Sequence, residues 1–125
     1  MDKVKIAFVG GDGVTKASAV VEVADTHATR AKGLSKRAKL PDGTGMFFDK
    51  AGAYWMKDTY IPLDILFVDR FGTVLEKQAM FPVQEPDPNK PLHMPSYKEA
   101  VHAIELPHGW FERQGLSIGD KVQVV

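Results

Sequence analysis

Val4, Ile6 and Phe8 alternate with Lys3, Lys5 and Ala7, the period of two expected of a strand with one buried face. Gly10-Gly11-Asp12-Gly13 follows and reads as a hairpin turn. A phosphate-binding loop would need Gly-Lys-Ser/Thr leading into a helix, whereas Val14-Thr15-Lys16 leads into a second β-like run through Val21 and Val23 that ends near Asp25. The period then changes. Thr26 suits a helix N-cap, Ala28, Ala31 and Leu34 share one helical face, and Gly33 suits the end of a first helix within a helical region from Thr26 to Lys39. Pro41 to Gly45 is a loop, and Met46-Phe47-Phe48 and Ala53-Tyr54-Trp55-Met56 are short strand candidates joined by a turn at Asp49 to Gly52. Leu63 to Val68 and Val74 to Ala79, separated by Asp69-Arg70-Phe71-Gly72-Thr73, form the clearest hairpin. Pro82 to Pro95 holds five of the eight prolines and is a long loop, of a length that often carries function. Ala100 to Leu106 returns to strand, Gly109 to Gln114 allows one helical turn, and Lys121 to Val125 is a last strand. The pattern predicts one β-rich α+β domain over residues 1–125, with one main helical region.

Composition narrows the classes without naming a function. The 125 residues, 44% hydrophobic and 26% charged, suit a single ordinary globular domain. Sixteen basic and sixteen acidic residues cancel, so no global field draws nucleic acid or an anionic membrane. The absence of cysteine excludes disulfides, thiolate metal sites and a cysteine nucleophile. No run approaches the roughly 18 apolar residues of a membrane-spanning helix, and Val4 to Val9 is too short and too charged for a signal-peptide core. As written, the chain reads as cytoplasmic, or exported if a leader precedes it.

Two carboxylates lie inside apolar runs. Asp64 stands in Ile61-Pro62-Leu63-Asp64-Ile65-Leu66-Phe67-Val68 and Glu105 in Val101-His102-Ala103-Ile104-Glu105-Leu106. Each either locks the fold through a partner or does work, since an unpaired buried carboxylate is costly. As a catalytic pair they would be general acid and base. Trp55-Met56-Lys57-Asp58-Thr59 places a flat ring, a cation and a carboxylate together before Pro62, and Trp110 follows Pro107-His108-Gly109; such groups suit a sugar, a heterocycle or a peptide. Arg30, Lys32, Lys36, Arg37 and Lys39 form a basic stretch, a solvated face or an anion-facing patch with Arg30 and Arg37 as its candidates. Nucleic-acid binding rests on that stretch alone and is disfavoured. His27, His93, His102 and His108 lack zinc-site spacing, and Met46, Met56, Met80 and Met94 suit core filling better than Cu(I) beside His93, so no metal or cofactor is expected. Ser18, Ser35, Ser96 and Ser117 sit in no nucleophile elbow.

In order along the chain, Val21-Glu22-Val23-Ala24-Asp25-Thr26, Arg30, Gly33-Leu34, Arg37, Gly45-Met46-Phe47-Phe48, Trp55 to Thr59, Pro62-Leu63-Asp64-Ile65, Phe67-Val68-Asp69, Gly72, Glu105-Leu106, Gly109-Trp110 and Gly119-Asp120 resemble a bacterial and archaeal family known as domain of unknown function 192. The resemblance runs from about residue 20 to the end, leaving residues 1–19 as an N-terminal hairpin extension, and the run Gly45 to Asp64 is its most specific part. It implies a compact domain with a barrel-like, mostly antiparallel sheet and no established activity. Family members usually carry Asn where Asp58 stands and commonly Met where Ser35 stands, and many look exported.

Together these readings favour a domain that binds a small ligand or a peptide partner through Trp55, Lys57, Asp58, Thr59, Asp64 and Trp110. The alternatives are a hydrolase or lyase on a sugar-like or acyl substrate using Asp64 and Glu105, and a structural or interaction module in which those residues only lock turns. Oligomeric state is not legible.

Overall fold

Every residue from Leu63 to Val68 is buried, so both faces of this strand are covered and it belongs inside a sheet. The computed structural model describes residues 2–83, 89 and 94–125. Among them, β1 (Lys3–Val9), β2 (Thr15–Ala24), β3 (Thr44–Phe48), β4 (Leu63–Val68), β5 (Val74–Met80), β6 (His102–Pro107) and β7 (Lys121–Val124) form one sheet in the order β5-β4-β6-β3-β2-β1-β7. Two short helices, α1 (His27–Lys32) and α2 (Trp110–Arg113), complete the domain. Only β2 and β3 pair in parallel, with α1 in the crossover between them; the other neighbours are antiparallel.

Alternation along these strands builds a core on each face. One cluster gathers Ile6, Phe8, Val21, Leu66, Ile104 and Leu106 with Trp110 and Phe111 of α2. The other gathers Met46, Phe48, Leu63, Ile65, Phe67 and Ala103 with Leu34, just past α1. On the first face β3 and β6 approach closely, where a Cβ on Gly45 would lie 2.2 Å from the Glu105 carbonyl oxygen, so glycine is the residue that fits.

Most of the expected elements are present, with four differences. The sheet is open rather than barrel-like: its edges touch at a single bridge between Thr73 and Lys121, flanked by Val74 N–H to Asp120 O at 2.9 Å. β1 lies between β2 and β7 and sends Ile6 and Phe8 into the core. The helix is shorter than Thr26 to Lys39. Thr26 caps it, with its hydroxyl accepting from Thr29 N–H, and Gly33 at φ 51° ends it, because the following turns require left-handed backbone that glycine tolerates. Ala53 to Met56 is not a strand but an extended crossing over the second face, held by Tyr54 N–H to Pro95 O at 3.1 Å. The β3 edges are already taken by β2 and β6, so no ladder remains for it. Within the proline-rich loop, residues 84–88 and 90–93, His93 among them, lie outside the described residues. No helix among the described residues is long and apolar enough to cross a membrane.

Candidate functional site

Glu105 alternates with Ala103 on β6 and therefore points to the second face, where its register neighbours are Met46 on β3 and Ile65 on β4, both fully buried. Above it, α1 with its terminal turn and the crossing from Lys50 to Thr59 stand apart and enclose a pocket of about 430 Å³. Gly33 keeps the floor accessible: a Cβ there would sit 3.5 Å from Glu105 Oε1. Glu105 is only 4% exposed, its carboxyl opens on this pocket, and neither oxygen has a hydrogen-bond or ion-pair partner among the described residues. Burial without compensation pushes its pKa from 4.5 up to about 8, so at neutral pH it is mainly the uncharged acid.

The walls are apolar and aromatic. Phe48 and Tyr54 meet edge to face with ring centroids 5.0 Å apart, and burial pushes the Tyr54 phenol above its ordinary range. The Tyr54 hydroxyl accepts from Gly52 N–H at 3.3 Å, which fixes the ring against the pocket. Trp55 points the other way along the alternation, is 48% exposed, and forms part of the mouth with Lys57, whose Nζ lies 5.7 Å from the indole centroid. Thr59 is buried beside the pocket and donates its hydroxyl to Lys57 O, tying down that turn. Arg30, Lys32, Lys50 and Lys57 all line the pocket, against Glu105 as the single carboxyl lining it among the described residues. Arg30 is engaged by Asp49 at 2.8 Å.

The structure thus brings Trp55, Lys57, Thr59, Arg30 and Glu105 together. It places the other sequence candidates elsewhere. Asp58 turns away at φ 55°, the left-handed conformation that Asn and Asp adopt more readily than other residues, and lines a second hollow with Tyr60, Pro82 and Val83. Arg37 is ion-paired with Glu22. Asp64 pairs in register with Leu106, not Glu105, and so faces the opposite side of the sheet. There it is fully buried, accepts from Gly109 N–H at 3.0 Å, and lies 2.8 Å from His108 Nδ1. A carboxylate only accepts, which assigns the proton to that nitrogen. Trp110 is 3% exposed, with its ring 5.9 Å from Phe8 in the first core. The two tryptophans do not share a pocket, and the Asp64 and Glu105 carboxyls are not brought together.

Gly33, Lys50 and Tyr54 were not legible as site residues, since each also reads as an ordinary cap, turn or core position. The alternation of Tyr54 and Met56 inward with Trp55 and Lys57 outward was the one available signal.

These features define a small α+β domain in which a single open sheet carries a buried carboxyl, without a partner among the described residues, beneath a cation-lined pocket. The chain belongs to the DUF192 family, described as an uncharacterized ACR family, whose profile matches residues 9–124. A candidate transcription regulator from Sinorhizobium meliloti has a similar structure, with a TM-score of 0.83 and 28% identity over 98% of this chain and 94% of that one. A protein of unknown function from Novosphingobium aromaticivorans matches with a TM-score of 0.73 and 28% identity, over 97% and 84% of the two chains. No curated protein matches at a significant level.

Proposed function

We propose that this protein is a non-enzymatic binding domain that takes a small ligand into the pocket over Glu105. The observation that carries the reading is the Glu105 carboxyl: buried, without a partner among the described residues, and open to the pocket. The Glu105 oxygens remain within reach of solvent through the pocket, and shielding such a group without a protein partner costs on the order of 1–3 kcal/mol. A ligand that supplies the missing hydrogen bond recovers that cost on binding. The pocket volume of about 430 Å³ suits a small molecule, and apolar walls with a few convergent polar groups are the usual composition of such sites. Acid–base catalysis by two carboxylates is not part of the reading, since Asp64 is engaged on the other face.

A thermal-shift screen of small molecules and short peptides, run on the wild type and on Glu105→Leu, tests it, because a ligand of the native state raises apparent stability by mass action. The expected result is a class of compounds that raises the wild-type melting temperature and not that of the variant. Compounds that stabilise both proteins equally would place their site away from Glu105 and overturn the reading.

A further inference from the structure

Resting on that reading, we infer that the ligand is a small planar heteroaromatic anion, with an N–H in its ring or on an amino group of the ring facing Glu105 and its phosphate or carboxylate held at the mouth by Lys32, Lys50 and Lys57. Three features of the pocket lead there. The floor offers a carboxyl oxygen that accepts a hydrogen bond whether the group is ionised or not, whereas a ligand acceptor would be served only by the protonated form; an N–H donor is therefore the complement that works in both states. The walls carry the rings of Phe48 and Tyr54, with Trp55 at the mouth, and these favour a flat aromatic body over an aliphatic or branched one. At the mouth, Lys32, Lys50 and Lys57 have no ion pair among the described residues, while Asp49 is already occupied by Arg30. A mouth with three ammonium groups that have no ion pair among the described residues attracts an anion and repels a cation. Trp55, half exposed beneath Lys57, gives the ring a stacking surface on entry.

Adenosine 5′-monophosphate supplies an exocyclic amino N–H donor with a phosphate and indole-3-acetate a ring N–H donor with a carboxylate, and adenosine and indole are their neutral counterparts. Binding is read from the indole N–H resonances of the nitrogen-15-labelled full chain, in which buried Trp110 is an internal control for Trp55. At least one anion should move the Trp55 resonance saturably and leave that of Trp110 in place, with its neutral counterpart about tenfold weaker or more, the factor expected for loss of one charge-assisted contact. The anion that binds tighter identifies the group at the mouth. Lys57→Ala, an exposed change, should weaken the anion about fivefold and leave the neutral counterpart unchanged, and Glu105→Leu should weaken both by about tenfold. Equal affinity for anion and neutral form, or indifference to Lys57→Ala, would overturn the anionic ligand while leaving the pocket in use. Silence of the Trp55 resonance with all four probes would overturn this ligand class, with the thermal-shift screen deciding the pocket separately. A Trp55 response unaltered by Glu105→Leu would overturn both.

Discussion

Asp64 and Glu105 are buried carboxyls on adjacent strands, one residue apart in register, and their surroundings treat charge in opposite ways. Asp64 has a backbone N–H and an imidazole N–H directed at it, so its role is to fasten the start of α2 to β4. Asp64→Asn should cost about 1–3 kcal/mol in urea unfolding, because one charge-assisted acceptor is lost. Ligand affinity at the pocket should stay unchanged, since that site is on the other face. Glu105 has no such donors among the described residues, and the consequence is a pH dependence of definite sign. Its pKa rises from 4.5 in the unfolded chain to about 8 in the fold, so the folded state binds more protons than the unfolded state between those values. The stability this contributes is fully present below about pH 4.5 and is lost as the pH climbs toward 8. Urea unfolding at pH 5 and at pH 8 should show the wild type losing stability relative to Glu105→Gln. A difference between the two proteins that does not change with pH would show that the carboxyl is solvated or paired.

Among the elements, the crossing from Ala53 to Thr59 and the start of α2 carry the two tryptophans to opposite fates. Trp55 occupies an outward position of an alternating segment, whereas Trp110 opens α2 and is pressed onto Phe8. Trp110→Ala should cost about 3–5 kcal/mol of folding stability, the range for emptying a large aromatic site in a core. Trp55→Ala should cost about 1 kcal/mol or less, as an exposed change does, and iodide should quench Trp55 emission and spare Trp110. The sequence offered a short strand over Ala53 to Met56; what it did not reveal was that the segment would lie across a sheet instead of joining one. Strand pairing depends on free edges, and edges are a property of the whole topology. The cap at Thr26 was legible because it is local, and Thr26→Ala should cost about 1 kcal/mol by leaving the Thr29 N–H without its acceptor. The end of α1 at Gly33 was legible for the same reason, whereas the nearness of Gly33 to Glu105 depends on a crossover that no local pattern encodes.

Across the whole molecule, one sheet separates two tasks. The face built on Phe8, Leu106 and Trp110 closes on a satisfied polar anchor, while the face built on Phe48 and Ile65 leaves a carboxyl open beneath a cation-lined mouth. Period-two strands and frequent turns made the β-rich α+β class readable, since those signals lie within each segment. The parity that sends Asp64 and Glu105 to opposite faces was set by the β4–β6 register, and neither strand alone specifies it. The central claim is that the Glu105 carboxyl serves something other than the fold. Unfolding free energies of the wild type and of Glu105→Leu, measured by urea at pH 8 without ligand, test it most directly. On this account the variant is at least as stable as the wild type, because a mostly buried carboxyl with no partner among the described residues is exchanged for an apolar side chain beside Met46 and Ile65. A loss of more than about 2 kcal/mol in the variant would contradict it and make Glu105 a structural residue.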